Sequence, residues 1–396
     1  MKIKKKLTVP DIGANELAVV VIGGPSQGES VLLHYGDGKW LVIDCCTSDG
    51  QNLPVVFLEQ VHADFSKVEF VICSHWHDDH VAGMDMLLER CPNAYFMIPS
   101  VTNRVVLPRY FEYRINKADK ENEKEAWLVF KKCLDVINGR KNPVNQNLKQ
   151  PQYIKVESSI EDYRTSQGVD VCIKALSPSN DMMTRFGEML ADGNARGGQF
   201  QDRDIDQNMC SISLGVSFSG RNLFLGADLE CNRADDEDED GCIDKCDERF
   251  SIGMCNAVSN RFFHQMCPFS YTKLIHHSSK NGYCPKYWTA CMAEERLAVS
   301  TVFSPQCLPR KKMVSKYLTN NDHYYMTSRK SQKKLTRRDI KKVLGSSKYV
   351  TSMRHIGTAP GVVVTRYDLT TGNYKGTESY LNAFKVSNND LQYFND

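Results

Sequence analysis

The chain has 396 residues, of which 41% are hydrophobic and 25% charged, a composition that excludes disorder as the default state and supplies a large core. Its 50 Lys and Arg nearly cancel 48 Asp and Glu, so the overall charge names no partner. No apolar run approaches the roughly 20 residues of a membrane span, and no apolar signal core follows the basic start Met1–Lys6, which points to a cytoplasmic protein without membrane contact.

The first fifty residues read as strands over Leu17–Ile22, Ser30–Tyr35 and Lys39–Asp44, with Gly36-Asp37-Gly38 turning between the last two. Residues 53–62 read as a helix, and Val68–Cys73 as an apolar strand. Directly after it comes Ser74-His75-Trp76-His77-Asp78-Asp79-His80, in which His75, His77, Asp79 and His80 place four metal-ligand side chains within six residues. Such a concentration is too polar for an ordinary core, and surface histidines are the weaker explanation. His75 and His77 share one side of an extended segment, and a helix over Val81–Arg90 turns Asp79 and His80 back toward them. A strand that delivers ligands from its C-terminal end into a helix is where α/β sheets place chemistry.

Further along, Lys117–Asn138 reads as a helix with Trp127, Phe130, Leu134 and Ile137 along one face. Val169–Leu176 is a strand, Asp192–Gln207 a mobile loop, and Cys210–Phe218 with Asn222–Leu225 a hairpin around Ser219-Gly220-Arg221. The run Asp235–Asp240 repels itself and reads as a solvated loop. Fifteen cysteines, an odd number at irregular spacing, indicate free thiols rather than a disulfide framework. Cys231, Cys242, Cys246 and Cys255 bracket the acidic loop as four thiolates for a structural zinc, but they match no compact zinc motif, and incidental thiols are the better reading. From Arg310 to Lys348 the basic residues, among them Arg329, Arg337, Arg338, Lys341 and Lys342, face only Asp322 and Asp339, a block that attracts polyanions or forms a solvated face.

Asp228 closes the apolar segment Leu223–Ala227, and His276-His277 closes Tyr271–Ile275, so three strand ends carry ligands. Together they supply enough nitrogen and carboxylate groups for two divalent ions if one carboxylate bridges. In this, the chain resembles the metallo-β-lactamase fold superfamily: His75-x-His77-x-Asp79-His80 looks like its signature and Asp44 like its structural aspartate. Within that superfamily it is most similar to the soluble hydrolase domain of ComEC-type competence proteins. Gln27-Gly28-Glu29-Ser30, Asn208-Met209-Cys210-Ser211, Gly226-Ala227-Asp228 and Lys273-Leu274-Ile275-His276-His277-Ser278-Ser279-Lys280 follow that group's motifs in order, over residues 17 to about 305, with Gly361–Val364 as a terminal strand. The chain departs from the superfamily in having no His between His80 and His264, in Leu308-Pro309-Arg310 where a His-Pro pair is common, and in Ser278 where the motif has glycine.

The resemblance implies an α/β fold, the metallo-β-lactamase αββα four-layer sandwich, as one domain over residues 1–396 with insertions at 105–165 and 231–268 and a basic segment at 309–350. It implies two divalent ions, zinc or manganese: His75 and His77 on the first, Asp79, His80 and one of His276 or His277 on the second, and Asp228 bridging. The first ion is the one short of a ligand. Asp79, His276 and His277 are the expected catalytic residues, with Ser279 and Lys280 placed to touch substrate. The expected reaction is phosphodiester hydrolysis of DNA or RNA by a metal-bound hydroxide, the ion lowering the pKa of its water from about 16 to about 7. Two alternatives stand beside it: a small-molecule phosphodiesterase or other ester hydrolase, and an effector subunit active only with a protein partner that moves the 192–207 segment.

Overall fold

The computed structural model describes residues 9–24, 28–100, 106–117, 121–141, 143–196, 207–231, 253–303, 306–329 and 360–394. Its strands in chain order are β1 (Glu16–Gly24), β2 (Gly28–Tyr35), β3 (Trp40–Ile43), the short β4 (Thr47–Ser48) and β5 (Gln51–Asn52), β6 (Val68–Ile72), β7 (Tyr95–Pro99), β8 (Gln152–Ile154), β9 (Ser159–Arg164), β10 (Asp170–Ala175), β11 (Leu214–Phe218), β12 (Arg221–Leu225), β13 (Phe269–Lys273), β14 (Met292–Ser300), β15 (His323–Met326), β16 (Gly361–Asp368), β17 (Tyr374–Leu381) and β18 (Phe384–Lys385). The helices are α1 (Leu53–Gln60), α2 (Asp78–Val81), α3 (Met84–Arg90), α4 (Val106–Lys117), α5 (Glu121–Asn138), α6 (Asn180–Ala195), α7 (Met254–Val258), α8 (Arg261–Gln265), α9 (Pro285–Ala290) and α10 (Lys311–Asn320).

β1 shows why these sequences stack in layers. Leu17, Val19 and Val21 enter one core, while Val20 and Ile22 enter another. A strand whose alternate side chains are all apolar must be covered on both faces. One eight-stranded sheet runs β17-β16-β1-β2-β3-β6-β7-β8 and a second runs β18-β15-β14-β13-β12-β11-β10-β9. Their facing sides share a core that includes Val19, Leu33 and Ile72 from the first and Val216, Leu225 and Val299 from the second. Helices α1, α3, α5 and α6 cover the outer face of the first sheet, and α7 to α10 that of the second. This is the αββα sandwich, with Gly361–Asp368 pairing antiparallel to β1 as its terminal strand.

Parallel pairing decides where the chemistry falls. β3 and β6 are parallel neighbours in the first sheet, and β12, β13 and β14 in the second, so their C-terminal ends emerge together. The segments after them are Asp44, Ser74–His80, Asp228, His276-His277 and Thr301.

Several expected boundaries shift. The helix expected over Val81–Arg90 starts earlier, at Asp78, and breaks at Ala82-Gly83 into α2 and α3. Asn52 there donates to the Gly83 carbonyl at 2.7 Å, bonding outside the helix. The expected 117–138 helix begins at Glu121, preceded by α4, and buries Trp127, Phe130 and Ile137 as expected, with Leu134 half-buried. The 192–207 loop is shorter than expected because α6 runs to Ala195; Ser179 caps it, accepting from Met182 N at 3.2 Å, and Met183, Phe186 and Leu190 pack into the outer core. Residues 197–206, the acidic run 235–240, Cys242, Cys246 and the basic residues from Lys330 to Lys348 lie outside the described residues. Among the described residues no helix is long and apolar enough to cross a membrane.

Trp76, between His75 and His77, turns away from them into an aromatic cluster with Phe111, Trp127, Phe130 and Phe186. The packing of α4, α5 and α6 therefore anchors the ligand loop. Phe130 is 1% exposed, so Phe130→Ala should cost about 3–5 kcal/mol, read as a lower denaturant midpoint at unchanged slope.

Candidate metal centre

Asp44 organises the first strand ends. Its Oδ1 accepts from Ser74 N at 2.8 Å, and its Oδ2 from Ser74 Oγ at 2.7 Å and from His80 Nδ1 at 2.7 Å. With Nδ1 donating to a carboxylate, His80 turns its Nε2 lone pair inward. Ser74 Oγ, having given its proton to Asp44, accepts from His75 Nδ1 at 3.0 Å, which leaves His75 Nε2 as the free acceptor. That atom lies 3.0 Å from His77 Nδ1, so two imidazoles present nitrogens to one point. Gly28 makes room for the loop: its φ is +79°, and a Cβ there would stand 1.9 Å from the Asp79 carbonyl oxygen.

The second set closes over the first. His80 Nε2 lies 3.2 Å from Asp228 Oδ2 and 3.6 Å from Asp79 Oδ2. His277 Nε2 is 3.0 Å from Asp79 Oδ2 and 3.6 Å from Asp228 Oδ2. Asp79, His80, Asp228 and His277 thus bring one ligand atom each within 4.8 Å of one another. His80 Nε2 and Asp228 Oδ1 are buried and have no hydrogen-bond partner. Buried donors and acceptors are rarely left so, and a divalent ion among these two imidazoles and two carboxylates satisfies both. The residues present fit the group.

The His276-His277 pair sits in a tight left-handed turn beyond β13, which stops at Lys273 rather than running to Ile275. His276, His277 and Ser278 have φ of 46°, 49° and 58°. Ser278 thus holds a backbone conformation that glycine adopts without strain. The turn sends the two rings to different tasks. His277 joins the ligand group, with its Nδ1 2.9 Å from Thr301 Oγ1 and its ring stacked on Phe303 at 4.9 Å. His276 directs Nδ1 to Glu230 Oε1 at 3.0 Å and leaves Nε2 3.9 Å from Asp228 Oδ2 at the edge of the centre. Ser279 is buried, with its Oγ 3.0 Å from His276 Nδ1 and accepting from Gly282 N at 3.0 Å, so it positions His276. Lys280 is half-buried beside it. Leu308, in place of the common histidine, pairs its backbone with Phe303.

Three supporting residues carried no role in the sequence reading. Glu29 is buried and accepts from Lys273 Nζ and Thr301 Oγ1, and Thr301 passes that bond on to His277. Glu230, which also accepts from Asn208 Nδ2 at 3.0 Å, orients His276. A glutamate inside the fully buried β2 was the one available signal; the others depend on distant contacts.

Burial pushes the His75 imidazole well below its ordinary value, and His80 and His77 push the same way, so it is neutral and ready to coordinate. Burial also opposes charge on His80, but Asp228, Asp79 and Asp44 outweigh it and hold the ring well above its ordinary value. For Asp79 burial favours the neutral acid, yet His80 and His277 bring it below the usual carboxylate range. Asp228 behaves likewise against His80, His277 and His276. Burial opposes charge on His276, but Asp228 and Glu230 raise it to about 9.

Residues 23–130 match the family model described as Metallo-beta-lactamase superfamily. No curated protein matches. Among solved structures, MEM-A1, a subclass B3 metallo-beta-lactamase from a soil metagenome library, is 13% identical over 55% of this chain and 62% of its own, with a TM-score of 0.28. A HARLDQ-motif metallo-beta-lactamase mutant from Cronobacter sakazakii is 14% identical over 54% and 63%, at 0.29. A putative metallo-beta-lactamase from Thermotoga maritima is 13% identical over 55% and 81%, at 0.31. The chain spans about three fifths of the first two of these proteins.

Two outcomes test the centre. Asp44→Asn removes the negative charge and turns one of the two accepting oxygens that hold Ser74 and His80 into a donor, and should weaken metal affinity by about 10–100-fold, measured by competition with a chromophoric chelator. Because a proton on His80 must leave before Nε2 coordinates, and the carboxylates around it hold that proton well above the ordinary imidazole range, affinity in the unaltered protein should keep rising with pH beyond the point where an ordinary imidazole has already titrated.

Proposed function

We propose that this protein is a metal-dependent phosphodiesterase of the ComEC-like type that cleaves DNA or RNA. The observation that carries the hydrolase reading is the convergence of Asp79, His80, Asp228 and His277 around buried atoms that lack hydrogen-bond partners. A divalent ion held there supplies Lewis acidity toward a phosphoryl oxygen and a lowered pKa for water. His75 and His77 would hold a second ion, and imidazole and carboxylate ligands suit zinc or manganese.

The chain's own groups do the rest. His277 is fixed by Thr301 and Glu29 so that Nε2 faces Asp79. His276, oriented by Glu230, sits at the edge of the centre with Nε2 toward Asp228, where it holds an anionic phosphoryl oxygen or gives a proton to the leaving oxygen. The nucleic-acid assignment draws on the basic run from Arg310 to Lys348, of which Arg310, Lys311, Lys312, Lys316 and Arg329 are described residues.

Purified protein with manganese or zinc should cleave single- or double-stranded DNA or RNA and bis-p-nitrophenyl phosphate. Cleavage of the small ester with all polymers untouched contradicts the nuclease reading, and silence relieved only by a second protein points to the effector alternative. His276→Gln should keep its metal and lose about 10²-fold in kcat. Neutralising Arg337, Arg338, Lys341 and Lys342 should reduce polymer cleavage and spare the small ester.

A further inference from the structure

We propose that Cys231, Cys255 and Cys284 bind a zinc ion as thiolates, at a site separate from the His/Asp centre. The three come from different parts of the chain: Cys231 follows the segment that carries Asp228 and Glu230, Cys255 lies in α7, and Cys284 caps α9 after the His276 turn. All three are buried, at 2%, 1% and 1% exposure. Their sulfurs lie within 4.8 Å of one another, with Cys231 Sγ 2.8 Å from Cys255 Sγ and Cys255 Sγ 3.9 Å from Cys284 Sγ.

Those distances separate three chemistries. A disulfide needs about 2.05 Å, which neither pair meets. Neutral thiols pack as small apolar groups with no reason for three to converge on one point. Thiolates on a tetrahedral zinc with Zn–S near 2.3 Å have sulfurs about 3.8 Å apart. The Cys255–Cys284 pair matches that edge, and seating the ion moves Cys231 outward by about 1 Å relative to Cys255.

The backbone around the sulfurs is built for close approach. Cys231 N donates to the Asn281 carbonyl at 2.5 Å and Met254 N to the Glu230 carbonyl at 3.0 Å. Gly253 has φ +65°, and a Cβ there would stand 1.8 Å from the Glu230 oxygen, so only glycine brings Cys255 to Cys231. Each thiol gives up its proton to the solvent as it coordinates, and an all-sulfur set favours zinc over the harder ions that suit carboxylates. The fourth position belongs to a ligand beyond these three. Cys242 and Cys246 lie outside the described residues, and the proposal does not draw on them.

The test uses the full chain carrying His77→Ala and Asp228→Ala, which strips the His/Asp centre and leaves the thiols intact. Metal analysis should find about one zinc per chain, and X-ray absorption at the zinc edge should show a sulfur shell near 2.3 Å. Adding Cys255→Ser should remove that shell. Zinc with only nitrogen and oxygen neighbours, absence of zinc with all three thiols alkylated after unfolding, or a Cys231–Cys255 disulfide by non-reducing mass spectrometry would each overturn the proposal. The absorption measurement on the Cys-intact chain decides the matter even if the serine variant fails to fold.

Discussion

The buried hydrogen bonds of Asp44 are the constraint on which the centre depends. One carboxylate at the end of β3 accepts from the Ser74 backbone, the Ser74 hydroxyl and His80 Nδ1. It thereby joins two parallel strands of the first sheet and the start of α2. It also sets the same tautomer in His75 and His80, Nδ1 donating and Nε2 left to coordinate, since Ser74 relays the bond to the one and Asp44 accepts directly from the other. Glu29 plays a similar part for the second sheet, through Lys273 and Thr301 to His277.

What these anchors hold in place is an electrostatic arrangement that protein groups alone leave incomplete. Asp79 and Asp228 are buried carboxylates facing His80 and His277, and no Lys or Arg pairs with either among the described residues. Burial works against the charges on Asp79, His80 and Asp228, and only mutual attraction keeps them. The orphaned Asp228 Oδ1 and His80 Nε2 mark where that balance falls short. A divalent cation at that point satisfies both atoms and replaces the proton on His80.

Much of this was legible in the sequence because it is written in local pattern. The unbroken apolar run Leu17–Ile22 tells of a strand buried on both faces, and ligands crowded behind the apolar Val68–Cys73 run tell of a strand end carrying chemistry. Long-range pairing was not legible. Nothing local links Glu29 with Lys273, separated by 244 positions, or Glu230 with His276. The choice between His276 and His277 was hidden as well, because period-2 reasoning applies to a strand and the pair occupies a left-handed turn. Helix α6 was missed as a whole, with Asp192–Ala195 read as loop for their Gly and charged residues, although Met183, Phe186 and Leu190 form a helical apolar face.

The central claim is that a divalent ion occupies the space between Asp79, His80, Asp228 and His277. Crystals grown with manganese or zinc and measured at the metal's absorption edge test it most directly. The account predicts an anomalous peak within coordination distance, about 2.0–2.2 Å, of His80 Nε2 and of an Asp228 oxygen. A map with no peak there, at a metal concentration that fills other sites, would contradict it.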